Sequence, residues 1–176
     1  MPHTTNNLDL EALISNLTSV DIKFIMPDVS TWTGHAPFAY WFVKNIKPKL
    51  FIELGTHSGQ SYFAFCQSVK ENRLNCLCYA LDTWEGDKHA GIYDGSVYQS
   101  VLEYNQLRYS EFSHILRSTF DEALSKFADQ SIELLHIDGL HTYKAVKHDF
   151  KNWLPKVKDG GFILFHDIRV KHKDFG

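Results

Sequence analysis

The feature that most constrains the fold is a repeated alternation between short apolar segments and segments with helical spacing. Five apolar segments are typical of strands: 49–54, 75–81, 113–117, 132–137 and 162–165. Helical segments lie between them, at 60–70, 95–108, 119–128 and 143–153. Strands that alternate with helices of this length imply right-handed crossovers and a parallel sheet covered on both faces. We therefore predict an α/β fold with a doubly wound, mainly parallel sheet of about five strands in the order 3-2-1-4-5.

The first 48 residues precede this alternation. They contain two segments with helical spacing, 8–20 and 36–46, and a loop at 28–34 lies between them. Pro48 marks the end of the second helix. We expect these helices to pack on the domain that residues 49–176 form.

Length and composition limit the class of protein. A chain of 176 residues fits one domain, and a formal charge of −3 with a pI near 6.3 gives no reason to expect a nucleic acid as partner. No apolar run approaches the roughly 20 residues of a membrane span, and the polar N-terminus lacks the apolar core of a signal peptide. Three cysteines are too few for a disulfide framework. We therefore expect a cytoplasmic protein.

A glycine-rich turn follows the first predicted strand. Gly55 and Gly59 allow a sharp turn into the next helix, whose first N–H groups can approach a ligand. A dinucleotide-binding fingerprint would need glycine at 55, 57 and 60, whereas the chain has His57 and Gln60. Glu53 lies at the strand tip instead, where a carboxylate can meet a cationic or hydroxyl-rich part of a nucleoside.

Acidic residues end four of the predicted strands: Glu53, Asp82, Asp138 and Asp167. Ligands of such sheets bind outside the carboxyl ends of the strands. Each acid alone has a structural explanation, because Asp and Glu are common at strand ends and helix N-termini, but four together favour a ligand site. Neighbouring strands lie roughly 4.8 Å apart, so we predict that Glu53 and Asp82 bind one nucleoside-containing cofactor.

Asp138 and Asp167 form a second pair, because the fourth and fifth strands are expected to be adjacent. Their carboxylates can bind a hard cation such as Mg²⁺ or a substrate hydroxyl; alternatively, Asp138 caps the next helix and Asp167 is an exposed strand end. His141 lies in the loop after Asp138 and titrates in the range of a general base, although a capping or solvent-exposed histidine is the alternative. His166 alternates with Asp167, so we expect only Asp167 to face the pocket.

The connection after the second strand, residues 82–91, is rich in glycine and charged residues. A long polar connection at this place is typical of a lid or a substrate loop. Trp84 has two open interpretations: it stacks on the adenine of the cofactor, or it covers the edge of the core.

Four segments together resemble the class I S-adenosylmethionine-dependent methyltransferases, in the branch found beside bacterial glycosyltransferases. The segments are 52–59, 81–91, 135–143 and 160–167. The resemblance implies a Rossmann-like fold and S-adenosylmethionine as cofactor, with Asp82 on the ribose hydroxyls. The amino-acid end of the cofactor would contact Gly55, Thr56, Ser58 and Gly59. Related members that methylate sugars with a metal imply Mg²⁺ at Asp138 and Asp167, and His141 as the base.

The resemblance also implies a C-terminal hairpin that completes the sheet, and this sequence ends nine residues after Asp167. We expect either a piece of a longer protein or an abbreviated fold, whose edge strand a partner such as a second copy would cover. The predicted function is methylation of a hydroxyl on a small molecule, sugar or glycan. A non-catalytic cofactor-binding or docking module of a carbohydrate-modifying protein is the alternative, and a metal-dependent hydroxylase on the same scaffold is a third idea.

Overall fold

The structure, a computed structural model, describes residue 32 and residues 34–87 and 91–168. The predicted helix at 8–20 and most of the predicted loop at 28–34 lie outside the described residues. The helix predicted at 36–46 is confirmed, with the bounds Ala36–Ile46. The boundary at residue 48 between N-terminal helices and domain remains a prediction.

The described residues form five α-helices and seven strands. The helices are α1 (Ala36–Ile46), α2 (Gln60–Glu71), α3 (Gly95–Arg108), α4 (Phe120–Ala123) and α5 (Tyr143–Trp153), and 3₁₀ turns follow α4 (Leu124–Lys126) and α5 (Leu154–Lys156). The strands are β1 (Leu50–Leu54), β2 (Leu77–Asp82), β3 (Gly86–Asp87), β4 (Gly91–Ile92), β5 (Ser113–Arg117), β6 (Ile132–Ile137) and β7 (Val157–Phe165). The two-residue strands β3 and β4 form an antiparallel pair of their own.

The other five strands form one parallel sheet in the order β5-β2-β1-β6-β7. This is the predicted order third-second-first-fourth-fifth, once the short β3–β4 pair is set aside. The central strand β1 is buried on both faces, as its near-continuous apolar sequence requires: Phe51, Ile52 and Leu54 have no exposed surface. The predicted doubly wound fold is therefore confirmed.

Helices cover both faces of this sheet. On one face, α1, α2 and α3 contribute Phe42, Phe65 and Val101 to one apolar cluster. On the other face, α4 and α5 contribute Ala123 and Trp153 to a second cluster. Full burial of a large apolar side chain contributes about 1.5–3 kcal/mol, so the two clusters fix the strand ends in place relative to one another.

The helix predicted at 119–128 is shorter than expected. Its predicted capping box is confirmed: the Thr119 hydroxyl accepts from the Glu122 N–H, and the Glu122 carboxylate accepts from the Thr119 N–H. The α-helix nevertheless ends at Ala123, because the chain tightens into a 3₁₀ turn and then extends so that Phe127 is buried against Trp153.

The fifth strand of the sheet is longer than predicted. β7 begins at Val157, because Ile132 already pairs with Val157 before the register shifts and Leu134 pairs with Phe162. Within the described part of the chain, β7 has one neighbouring strand, β6, and it therefore forms an edge of the sheet.

Candidate active site

A cavity of about 420 Å³ opens at the carboxyl ends of the strands. Its volume lies in the range of small-molecule binding sites. The lining residues are Trp32, Gly55, Thr56, His57, Ser58, Gln60, Ser61, Asp82, Thr83, Gly86, Tyr93, Thr119, Phe120, Asp138, Gly139, Leu140, His141, His166 and Asp167. Seven of the ten residues predicted from the sequence are among them, whereas Glu53, Gly59 and Trp84 are not.

Asp82 organises the turn after β1 through its carboxylate. Oδ2 accepts hydrogen bonds from the N–H groups of Thr56 (2.9 Å) and His57 (2.8 Å), and Oδ1 accepts one from the N–H of Trp84 (2.8 Å). An ionised carboxylate has about four acceptor positions, so one position on Oδ1 remains for a ligand. Binding of both ribose hydroxyls by Asp82 stays a prediction. The remaining acceptor position on the Asp82 carboxylate has room for one of the two hydroxyls.

The two glycines of the turn have φ angles of 88° at Gly55 and 82° at Gly59. A side chain at Gly55 would overlap the carbonyl of Asp138, and a side chain at Gly59 would overlap the ring of Phe63. Gly55 therefore allows the turn after β1 to touch the loop after β6. Gly59 is the N-cap residue of α2 and lies outside the cavity wall, so its place in the structure is explained by the tight turn alone.

Glu53 lies within β1 and is followed by Leu54, so it is one residue short of the strand tip at which the sequence placed it. Its carboxylate has no exposed surface, and Oε2 lies 2.8 Å from Nδ1 of His136 on β6. Burial raises the pKa of Glu53, and the hydrogen bond from His136 opposes that shift. The other oxygen, Oε1, has no hydrogen-bond partner among the described residues. Glu53 thus lies behind the cavity wall, not at its surface.

In this structure Trp84 covers the edge of the core, which is the second of the two interpretations of this residue. Its side chain is buried, and its indole Nε1–H donates to the carbonyl of His57 at 2.7 Å. The φ angle of 51° at Trp84 turns the chain so that the ring enters the core beside Tyr98. Another aromatic side chain, Tyr93, lines the cavity and stacks on His57 with ring centroids 4.7 Å apart.

Two carboxylates and two imidazoles meet in another part of the cavity wall. Nδ1 of His166 lies 3.1 Å from Oδ1 of Asp138 and 3.2 Å from Oδ1 of Asp167. Nε2 of His141 lies 3.8 Å from Asp138 and 3.6 Å from Asp167. The proximity of Asp138 raises the pKa of His166, and burial opposes this effect. The predicted pairing of the acids at the ends of β6 and β7 is therefore observed.

The expectation that only Asp167 faces the cavity is wrong, because both His166 and Asp167 line it. Strand alternation places successive side chains on opposite faces only while the strand continues. β7 ends at Phe165, and Asp167 has a φ angle of 52°, so the chain turns there and both side chains line the cavity.

This donor set does not fit the predicted Mg²⁺ site as it stands. Among the described residues, no three His, Cys, Asp or Glu side chains converge in a way that would hold a metal ion. The physical reason is that the His166 imidazole lies between the two carboxylates that were predicted to share the ion. Mg²⁺ prefers oxygen ligands in near-octahedral geometry, which an intervening imidazole does not provide.

Trp32 is the main cavity residue that sequence reasoning missed. It is buried, and its indole stacks against His166 with centroids 5.8 Å apart. Its backbone N–H donates a hydrogen bond to Oε1 of Gln60. Its own Nε1–H and the hydroxyl of Thr56 have no hydrogen-bond partner among the described residues, although both are buried. A lone tryptophan in a loop carries no local signal of such a role, because its contacts with Gln60, His136 and His166 are distant in sequence.

Comparison with known proteins assigns the class to which this site belongs. Residues 52–168 match the Methyltransf_24 family model, described as a methyltransferase domain. The chain belongs to this family, and its fold is that of the class I S-adenosylmethionine-dependent methyltransferases.

Two relatives and two solved structures illustrate the similarity. The chain is 48% identical over 147 residues to the uncharacterized protein y4gI of Sinorhizobium fredii, and 30% identical over 125 residues to the uncharacterized protein R132 of Acanthamoeba polyphaga mimivirus. Its fold is similar to the SAH-bound Podospora anserina methyltransferase PaMTH1 (TM-score 0.62, 15% identity) and to the O-methyltransferase from Bacillus cereus in complex with SAH (TM-score 0.56, 17% identity).

The chain spans only part of these proteins. The matches cover 84% and 68% of this chain but 16% of y4gI and 51% of R132. The structural matches cover 94% and 89% of this chain, and 71% and 64% of the two solved chains.

Proposed function

We propose that the chain is an S-adenosylmethionine-dependent methyltransferase that acts on a hydroxyl group. The observation that carries this proposal is one continuous cavity whose wall contains both the Asp82-anchored turn after β1 and the Asp138, His141 and Asp167 cluster. A cofactor bound at the first and an acceptor bound at the second would share one cavity. Methyl transfer needs this proximity, because acceptor oxygen and methyl carbon must lie in line.

The cofactor end has unsatisfied groups that suit the proposed ligand. Buried polar groups are normally hydrogen-bonded, yet Trp32 Nε1–H and the Thr56 hydroxyl are buried in the wall without partners among the described residues. These groups can bind a carboxylate, and the carboxylate of Glu53 behind the wall favours a cation. The amino-acid end of S-adenosylmethionine carries both charges. As part of the proposal we assign Gly55, Thr56 and Ser58 to the amino-acid end of the cofactor and Asp82 to its ribose hydroxyls. Glu53, Gly59 and Trp84 support the site from outside the cavity wall.

At the acceptor end, His141 would take the proton of the acceptor hydroxyl. S-adenosylmethionine supplies an electrophilic methyl group on a sulfonium. As the acceptor oxygen gains this methyl, it releases its proton to the His141 imidazole. Asp138 and Asp167, within 4 Å of Nε2, stabilise the imidazolium that results.

For the acceptor we propose a sugar or glycan, in line with the resemblance to the branch found beside bacterial glycosyltransferases. The cavity combines aromatic faces at Trp32 and Tyr93 with carboxylates at Asp138 and Asp167. Aromatic faces pack against the C–H groups of a sugar ring, and carboxylates accept hydrogen bonds from its hydroxyls. A small hydroxylated molecule of other chemistry fits the same features, so the acceptor panel below includes both.

The cytoplasm is the proposed location. In the described part of the chain, no helix has the length and hydropathy needed to cross a bilayer. We further propose that the edge of β7 is covered in the complete assembly, either by a second copy or by further strands of a longer chain. The greater length of the matched relatives supports the second arrangement.

A methyl-transfer assay tests the proposal. Labelled S-adenosylmethionine is incubated with a panel of sugars, oligosaccharides and small hydroxylated compounds, in the presence of Mg²⁺ and in the presence of EDTA. We expect one acceptor class to be methylated and expect His141→Asn to lower kcat by about 10²-fold or more, with cofactor affinity within about twofold of wild type. His148→Asn is the matched control, since His148 is an exposed histidine of α5 that lies outside the cavity wall.

Two outcomes count against the proposed mechanism. Wild-type turnover by His141→Asn excludes His141 as the base. Cofactor binding without methylation of any acceptor favours the alternative, a non-catalytic binding or docking module. Such a module is compatible with a chain that covers only part of its relative's length.

A further inference from the structure

His136 lies one layer behind the cavity and contacts the buried acid of β1. His136 and Glu53 are paired positions on the neighbouring strands β6 and β1. The His136 Nδ1–H donates to Oε2 of Glu53 at 2.8 Å, and both side chains are almost completely buried. This hydrogen bond restrains the rotation of the Glu53 carboxylate, because rotation about the Cγ–Cδ bond would move Oε2 away from the His136 N–H.

The His136 ring is itself held in place by aromatic neighbours. The Trp32 indole meets it in an edge contact, with centroids 5.8 Å apart and an interplanar angle of 71°. Phe65 of α2 lies at 5.5 Å. The ring therefore connects two groups at once: Glu53 through a hydrogen bond and Trp32 through ring packing.

Trp32 carries an unsatisfied polar atom in the cavity wall, and Glu53 carries one behind that wall. Oε1 of Glu53 and Nε1–H of Trp32 have no hydrogen-bond partner among the described residues, and both are buried. The first is a carboxylate oxygen and an acceptor, and the second is a donor. A ligand that carries an ammonium and a carboxylate on one carbon has the complementary pair of groups, and a charged partner is favoured most where water is excluded.

We propose that His136 is a positioning residue for the amino-acid end of the cofactor. It holds the Glu53 carboxylate behind the cavity wall, from where that carboxylate favours the α-ammonium, and it seats Trp32 so that its Nε1–H meets the α-carboxylate. This inference rests on the proposed function, since the ligand is the proposed cofactor. His136 does not line the cavity and acts only through these two residues.

Two ligands that differ only at the amino-acid end test the proposal. S-adenosylhomocysteine carries the ammonium and carboxylate, whereas 5′-methylthioadenosine retains the nucleoside and lacks both groups. Calorimetric titration gives the Kd of each ligand for wild type, His136→Phe, His136→Asn and the control His114→Phe, which replaces an exposed histidine of β5 outside the cavity wall.

The expected result is selective. His136→Phe weakens S-adenosylhomocysteine by about tenfold or more and leaves 5′-methylthioadenosine within about twofold, because only the amino-acid contacts are lost. His136→Asn retains an N–H donor and recovers part of the affinity. Glu53→Gln gives the same selectivity, which keeps the test available if His136→Phe does not fold. The His114→Phe control changes neither affinity.

Two results overturn the inference while leaving the proposed function intact. One is an equal loss of both ligands in His136→Phe, which is what a purely structural role predicts. The other is an unchanged Kd for S-adenosylhomocysteine in a folded His136→Phe. Wild-type protein that binds neither ligand overturns the proposed function itself, and this inference with it.

Discussion

Gly55 is the residue at which the two halves of the cavity meet. Its φ angle of 88° lies in the left-handed region, and an added Cβ would overlap the carbonyl of Asp138. The turn that carries Thr56 toward the cofactor end therefore touches the loop that carries His141. The sequence predicted a glycine turn here for ligand approach, and contact between two backbone segments is the stronger constraint.

Replacement of Gly55 by alanine should destabilise the fold through this contact. A left-handed conformation costs an L-residue roughly 1–2 kcal/mol, and overlap with backbone adds to it, so we expect Gly55→Ala to lose about 3 kcal/mol or more. Gly160→Ala is the matched control, since Gly160 has a similar φ of 79° with open space around it. Urea unfolding measures both. Equal losses in the two variants would show that the Asp138 contact contributes nothing.

At the same scale, several residues lie in places that the sequence pattern did not predict. Glu53, Trp84 and Gly59 were assigned to the cofactor from their neighbours in sequence, yet all three lie outside the cavity wall. Local pattern gives the strand and the turn, but one residue of register decides whether a side chain lines the cavity or lies behind its wall. Trp32 gave no local signal of its place in the wall, because its contacts with Gln60 and His166 come from distant parts of the chain.

Among the elements, α5 carries a buried acid behind the loop that follows β6. Asp149 is 7% exposed, and its carboxylate lies next to Gly139 of that loop. Burial raises the pKa of Asp149 to about 6, with His148 opposing and Asp121 adding to the shift. The helix at 143–153 was predicted correctly, and this acid on its buried side was not.

A raised pKa at Asp149 predicts the sign of a pH effect on stability. The unfolded chain releases this proton near the usual value of about 4, before the folded chain does. Stability therefore falls as pH rises from about 4 to 6, and the loss persists above that window. Asp149→Asn does not titrate, so it should be more stable than wild type at pH 7.5 by about 1–3 kcal/mol, with the difference vanishing near pH 4. Thermal unfolding of both proteins across this range measures it, and a difference that is independent of pH would contradict the assignment.

Element boundaries were predicted well where a local signal exists. The capping box at Thr119 and the bounds of α1, α3, β5 and β6 follow directly from side-chain pattern. The end of α4 and the start of β7 did not, because burial of Phe127 and the register shift beside Leu134 depend on the neighbouring elements. These two boundaries are set by tertiary packing and not by local propensity.

For the whole molecule, the alternation of strands and helices was sufficient to predict the sheet order, since right-handed crossovers leave few topologies. The position of the cavity followed from the rule that ligands bind at the carboxyl ends of parallel strands. The donor set at the end of β7 did not follow, because two turns after the strand bring His166 and Asp167 to the same side. A metal prediction made from acids alone could not include the imidazole between them.

The central claim is that this cavity binds the nucleoside cofactor of a methyltransferase, and a calorimetric titration with S-adenosylhomocysteine tests it most directly. We expect one site per chain with a Kd in the range of about 1–100 μM. NAD is the matched control ligand and should not bind, because His57 and Gln60 stand where a dinucleotide fingerprint has glycine. Saturable binding of S-adenosylhomocysteine without binding of NAD is the predicted result; no heat with S-adenosylhomocysteine at about 1 mM, or equal binding of NAD, would contradict the account.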